Sequence, residues 1–338
     1  MSKLPKILLY SLLSLIILLA IGISLTIGWR PFIGPKSRPL TGVKFESTPQ
    51  RLERGRYLFN GLALCVDCHS PHDPTKHGAP IIAGREGSGE VMPVEDLPGK
   101  IVASNLTPDA ETGSGNWTDD QLARAIREGI GHDGRTLFPM MPYERFRHMS
   151  DEDLASIVVY IRSMPAVRNE LPRTEVIFPV KYLIRTVPEP VTAPVSGPDS
   201  SNVLKRGEYL ANLGSCGFCH TPQDRGQVVK GMEYAGGLTF QAFGLPGAAS
   251  ANITPDPSGI SYYDETLFMQ VMRTGLVKAR ELNPIMPYQE FKELSDQDLK
   301  DLFAFLRTVK PVHHRVDNSE PPTDCKLCRL KHGGGAEN

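Results

Sequence analysis

Cys65-Val-Asp-Cys-His69 recurs 151 positions later as Cys216-Gly-Phe-Cys-His220. The pattern C-x-x-C-H is the attachment signature of c-type haem. On one helical turn, two thiols three positions apart reach the two vinyl groups of a single porphyrin. The adjacent histidine then falls beneath the iron as proximal ligand. A thioredoxin-like pair or a zinc knuckle would account for one isolated motif, but not for two set in repeated flanks. Cys65, Cys68, Cys216 and Cys219 are therefore read as covalent haem attachments, with His69 and His220 as axial ligands of two haem c groups.

The flanks turn each motif into part of a duplicated domain. Arg54-Gly-Arg-Tyr57-Leu is matched by Arg206-Gly-Glu-Tyr209-Leu, and Asn105-Leu-Thr-Pro-Asp109 by Asn252-Ile-Thr-Pro-Asp256. Met141-Pro-Tyr143-Glu-Arg-Phe146 corresponds to Met286-Pro-Tyr288-Gln-Glu-Phe291, and Ser150-Asp-Glu-Asp-Leu154 to Ser295-Asp-Gln-Asp-Leu299. The offset falls from 152 to 145 along the chain, so the copies differ by short deletions. Local patterns are helical. A helix is expected over 54–61, with Gly55 and Gly207 allowing close approach of a second helix. That partner starts at a capping-box-like Ser150 or Ser295 and carries Leu154, Ile157, Val158 and Ile161 at helical spacing. A third helix is expected over 119–129, and over 264–275 in the second copy. No strand pattern of comparable strength is present. The expected fold is mainly α, with domains over 49–168 and 201–312, a Pro-rich linker over 169–200 and a tail over 313–338.

The second axial position of each iron needs a ligand of its own, and a methionine there raises the potential. Repeat alignment nominates Met141 and Met286, each followed by Pro-Tyr. Met140 aligns with Ile285, which cannot ligate. The histidines at 72, 77, 132 and 148 have no matched partner in the second copy and read as surface or hydrogen-bonded residues, with His132 and His148 standing as alternatives to Met141.

Both units resemble class I cytochrome c domains. The segments Trp117-Thr-Asp-Asp-Gln-Leu and Phe138-Pro-Met-Met-Pro-Tyr resemble the cytochrome c subunits of bacterial membrane-bound alcohol and gluconate dehydrogenases. The resemblance covers about residues 50–312. It implies low-spin His/Met haems that pass electrons from a dehydrogenase towards quinone or a terminal oxidase. The chain departs from that family in having two haem motifs rather than three.

Residues Ile7 to Ile27 carry no charge and are mostly Leu and Ile. Twenty-one residues rising about 1.5 Å each give roughly 31 Å, enough to cross a hydrocarbon core of about 30 Å. Residues 1–28 are read as an uncleaved transmembrane anchor rather than a signal peptide, whose apolar region would be shorter. Covalent haem is added outside the cytoplasm, which places the domains on the periplasmic side of the inner membrane, with residues 29–48 as a stiff Pro-rich spacer.

The third pair, Cys325-Lys-Leu-Cys328, is followed by Arg329, not His, and the sequence runs only ten residues past Cys328, too few to wrap another porphyrin. Three readings stand: a local disulfide or unpaired thiols, favoured because oxidation is the default outside the cytoplasm; a metal site of Cys325, Cys328 and His332 with His313 or His314; and a vestigial haem motif.

Composition is globular, with 40% hydrophobic and 22% charged residues and a net charge of −1. There is no basic stripe, which argues against a nucleic-acid partner. With both irons fully ligated there is no open position for a substrate, so the expected role is electron transfer between redox proteins (a dehydrogenase, a respiratory complex or an oxidase) rather than catalysis. The competing readings are a dihaem peroxidase or thiosulfate-oxidising enzyme, and a docking subunit of a respiratory or dehydrogenase complex.

Overall fold

The computed structural model describes residues 4–94, 97–224, 226–245 and 247–333. Residues 1–3 and 334–338 lie outside that set.

The longer helices are α1 (Leu4–Leu25), α2 (Pro49–Tyr57), α3 (Asp119–Glu128), α4 (Asp151–Ser163), α5 (Val203–Leu213), α6 (Glu265–Thr274) and α7 (Asp296–Leu306). Their starts are set by caps. Thr48, Thr118 and Ser150 each accept the backbone N–H three residues on, and Asn202, Asp264 and Ser295 do the same in the second copy. A reciprocal capping box forms at Thr118 with Gln121. At Ser150 and Ser295 the acidic partner is drawn away instead, Asp153 to Arg54 and Asp298 to Arg206. Gly129 and Gly275, both in the left-handed region, end α3 and α6.

Helix α2 crosses α4, and α5 crosses α7. Gly55 and Gly207 lie at these crossings, as expected. A Cβ on Gly55 would overlap the Ser156 carbonyl oxygen, and one on Gly207 the Asp301 carbonyl oxygen. The copies differ just beyond the crossing. In the first, α2 runs on as a π turn over Leu58–Leu62. The offset between copies falls from 152 at Arg54 to 151 at Cys65, so the first copy has one extra residue here. A π turn absorbs that residue while keeping the helical register on either side. Strands among the described residues are two-residue antiparallel pairs, which pin loops and form no layer.

The two copies share one core. Phe59, Leu62 and Ile157 from the first belong to the same buried cluster as Leu213, Phe268 and Leu299 from the second. The contact between copies is reciprocal. The Tyr57 hydroxyl donates to Asp298 at 2.6 Å and accepts from the Ser295 N–H at 3.1 Å. The Tyr209 hydroxyl donates to Asp153 at 2.7 Å and accepts from the Ser150 N–H at 2.9 Å. Equivalent residues exchange equivalent bonds, the mark of a pseudo-twofold interface.

Helix α1 is 22 residues long, apolar, and exposed along its length. The segment after it does not stand free as a spacer. Arg38 pairs with Asp120 at 2.6 Å and Glu128 at 2.7 Å, and Thr41 donates to Asp120 through its backbone and hydroxyl. Asp120 and Glu128 are buried, so the ion pairs fasten the segment along the first domain. The linker is likewise held to that domain, with Glu175–Val176 pairing to Gly99–Lys100.

Candidate haem sites

Each C-x-x-C motif is a single helical turn, Cys65–Cys68 and Cys216–Cys219. A residue in the left-handed conformation precedes each, Leu64 at φ 53° and Ser215 at φ 55°. A leucine rarely adopts that conformation, and its recurrence at matched positions marks a backbone set by the turn that follows. All four cysteines are half-buried, and desolvation pushes the Cys65 and Cys216 thiols up to about 12.

The histidines are oriented identically. His69 Nδ1 lies 2.7 Å from the Ser104 carbonyl oxygen, and His220 Nδ1 lies 2.7 Å from the Ala251 carbonyl oxygen. A carbonyl only accepts, so Nδ1 carries the proton in both rings and the Nε2 lone pair is left for a metal. Burial lowers the pKa of both rings, which keeps the imidazoles neutral and able to ligate.

The next residue explains the Asn-x-Thr repeat, whose role the sequence did not disclose. Asn105 accepts from the Thr107 N–H and hydroxyl at 3.0 and 2.7 Å and donates to the Val167 carbonyl at 2.8 Å. Asn252 repeats this with Thr254, at 2.9 and 2.8 Å, and with Val312 at 2.9 Å. The asparagine thus braces the loop whose preceding carbonyl fixes the histidine. The repeat was the signal, but sequence gave no means of knowing that the contact was to a main-chain oxygen.

Met141 and Met286 are half-buried against the shared core, each on the loop before a short helix (Tyr143–Phe146 or Tyr288–Phe291). The tyrosine of Met-Pro-Tyr anchors that loop. Its ring lies where a Cβ would stand on Gly129 or Gly275, so the glycine that ends α3 or α6 also makes room for the methionine loop. His132 stacks on Trp117 at 4.2 Å, and both His132 and His148 are exposed. His72 is hydrogen-bonded, one of the two roles expected of it: its ring lies 4.1 Å from Phe243 of the second domain and 2.9 Å from Glu90.

The two motifs lie close together across the pseudo-twofold. Burial pushes the Cys68 thiol up, and Cys219 of the other domain adds to the shift, so the pair lies within electrostatic reach. The Arg145 guanidinium sits 4.3 Å over the ring of Phe218, inside the second motif. Its repeat counterpart Glu290 is raised to about 7 by burial and by Asp67, inside the first. Each methionine-loop helix therefore covers the other domain's attachment turn. The chain supplies what a covalently held haem requires: paired half-buried cysteines, a neutral imidazole with a free Nε2, and partly buried apolar residues, Leu106 and Trp117 among them, packed against the same core as Cys65 and Met141.

The sequence model of the cytochrome c family matches twice, over residues 52–165 and 204–310. The chain therefore belongs to the cytochrome c family, as a tandem of two domains. It is 31% identical to the fructose dehydrogenase cytochrome subunit of Gluconobacter japonicus, over 76% of this chain and 52% of that protein. It is 29% identical to the cytochrome c subunit of a quinone alcohol dehydrogenase from Gluconobacter oxydans (strain 621H), over 77% and 55%. A diheme cytochrome c-type protein of Cereibacter sphaeroides is 25% identical, over 77% and 86%. The chain spans about half the length of the first two relatives.

Proposed function

We propose that this chain is a membrane-anchored dihaem cytochrome c that passes electrons between respiratory partners on the periplasmic face of the inner membrane. Cys65 and Cys68 hold one haem and Cys216 and Cys219 the other. His69 with Met141, and His220 with Met286, complete the two axial pairs. Bound haem supplies reversible one-electron exchange between Fe(II) and Fe(III). The polypeptide fixes the imidazole tautomers, half-buries the cysteines and holds the two attachment turns close together.

The observation that carries the reading is the duplicated His–carbonyl geometry at 2.7 Å beside paired, half-buried cysteines. The similar diheme protein, close to this chain in covered length, supports two haems. The relatives named as dehydrogenase subunits make a dehydrogenase the favoured electron donor. Helix α1 reaches about 33 Å and supports the anchor. Trp29 just after it donates to Ser24 at 3.0 Å, placing an amphipathic ring where a membrane interface would lie.

The test is haem stoichiometry and ligation in the purified protein. Two haems are expected in the native chain, and one in either double variant, Cys65→Ala/Cys68→Ala or Cys216→Ala/Cys219→Ala. Met141→His is expected to abolish the near-infrared thioether–iron band of one haem and lower its potential. A high-spin native haem that binds cyanide readily would overturn the reading in favour of an enzyme.

A further inference from the structure

The third cysteine pair converges with His332, four residues after it, and with His314, eleven residues before it. The ligand atoms of His314, Cys325, Cys328 and His332 all lie within 4.8 Å of one another. We propose that these four side chains form a closed, tetrahedral zinc site that fastens the C-terminal tail to the second cytochrome domain. The site does not depend on the haem assignment.

Local geometry is that of a metal-binding knuckle. Cys325 and Cys328 lie on the turn between the paired strands Thr323–Asp324 and Lys331–His332. The turn is closed by Arg329, at φ 62°, whose N–H donates to the Cys325 carbonyl at 2.9 Å, and the Cys325 N–H donates to the Leu330 carbonyl at 2.9 Å. The Leu327 N–H points at Cys325 Sγ, 3.4 Å away, the kind of donor that stabilises a metal-bound thiolate.

The histidines complete the set. His314 is 1% exposed, and its Nδ1 lies 2.8 Å from the Ala235 carbonyl oxygen. That bond puts the proton on Nδ1 and turns Nε2 towards the cysteines, 3.4 Å from Cys325 Sγ. Bond lengths of about 2.3 Å to sulfur and 2.0 Å to nitrogen place tetrahedral ligands roughly 3.3–3.8 Å apart, so this spacing fits a shared ion. The rings of His314 and His332 are 5.3 Å apart and nearly perpendicular. His332 Nε2 is buried without a hydrogen-bond partner, and Cys328 is fully buried. A disulfide between Cys325 and Cys328 would leave that imidazole nitrogen unsatisfied; a metal ion satisfies all four groups together. Two thiolates and two imidazoles in a tetrahedron favour zinc, and four protein ligands leave no open position, which makes the site structural.

The tail it secures reaches the second haem site. Asn252, which braces the loop behind His220, also donates to the His314 carbonyl at 3.1 Å. Gly237 has no side chain where the His314 ring lies; a Cβ there would stand 2.7 Å from its Cε1. Among the described residues the first domain shows no such clamp: the corresponding Asn105 amide donates to the Val167 carbonyl and to the Thr112 hydroxyl, with no second main-chain carbonyl in the place of that of His314.

The experiment is elemental analysis of the full chain, matured in an exporting host and purified without chelator, with haem content measured on the same sample. One zinc per chain is expected. Cys328→Ser and His332→Gln should each reduce it to background while both haems remain attached, and should lower the Tm. Should Cys328→Ser not accumulate, His332→Gln and chelation of the native protein give the same readout. A zinc-free native protein carrying a Cys325–Cys328 disulfide by mass spectrometry would overturn the proposal. So would copper in place of zinc, or zinc retained undiminished in both variants.

Discussion

His72 is buried between two carboxylates, with Glu90 at 2.9 Å on one ring nitrogen and Asp67 at 3.6 Å on the other. Burial by itself would lower its pKa, but the two carboxylates outweigh this and raise it to about 9. The imidazole is therefore charged at neutral pH. A histidine raised on folding contributes stability that is complete below its unfolded value, about 6.5, and is lost as pH rises through the folded value. Tm should thus fall by a few degrees between pH 6.5 and 9, at about 2–4 °C per kcal/mol for a molecule of this size. His72→Gln should flatten that slope in calorimetry across the same range. A slope unchanged in the variant would sink the assignment. The sequence read His72 as a surface or hydrogen-bonded residue without naming its partners, because Asp67 lies in the first haem motif, Glu90 in a later strand and the stacking Phe243 in the other domain.

At the scale of elements, the two helix crossings tolerate no side chain at Gly55 or Gly207. Gly55→Ala and Gly207→Ala each force a methyl against a main-chain carbonyl, which cannot swing aside as a side chain can. Each should cost about 1–3 kcal/mol or more through overpacking, read as a lower urea midpoint. Gly22, with open space around it, is the control: Gly22→Ala should leave the midpoint of the soluble domains unchanged. These glycines were legible because Arg-Gly-x-Tyr recurs beside each haem motif and the facing helices show helical spacing. The π turn after α2 was not, since one extra residue in a repeat does not say whether a loop or a helix absorbs it.

Across the whole molecule, Tyr57 and Tyr209 tie the copies together through carboxylates that also pair with arginines. Hydrogen bonds to charged groups contribute about 1.5–3 kcal/mol. Tyr57→Phe and Tyr209→Phe should each lower stability on that order, and the double variant should slow electron equilibration between the haems after rapid reduction. Two independent domains would instead give an equilibration rate unaffected by either change. Arg38 is the second long-range tie. Arg38→Ala leaves Asp120 and Glu128 buried without their cation, and losing one partner of a buried pair costs about 3–5 kcal/mol. The expected sign is a first domain that melts earlier, while haem attachment is kept.

The haem motifs, the duplication, the glycine crossings and the apolar N-terminal helix are all local or periodic, so the linear order of residues carries them. A covalent attachment motif occupies five consecutive positions, and a helix repeats every 3.6. What only the tertiary structure decided are contacts between segments that share no sequence pattern: the carbonyls that orient His69 and His220, and the strapping of the spacer by Arg38. The reciprocal tyrosine interface and the choice of His314 over His313 beside Cys325, Cys328 and His332 belong with them. Each depends on where a main-chain oxygen or a distant side chain comes to rest after the core has packed, and packing in three dimensions is not periodic in one.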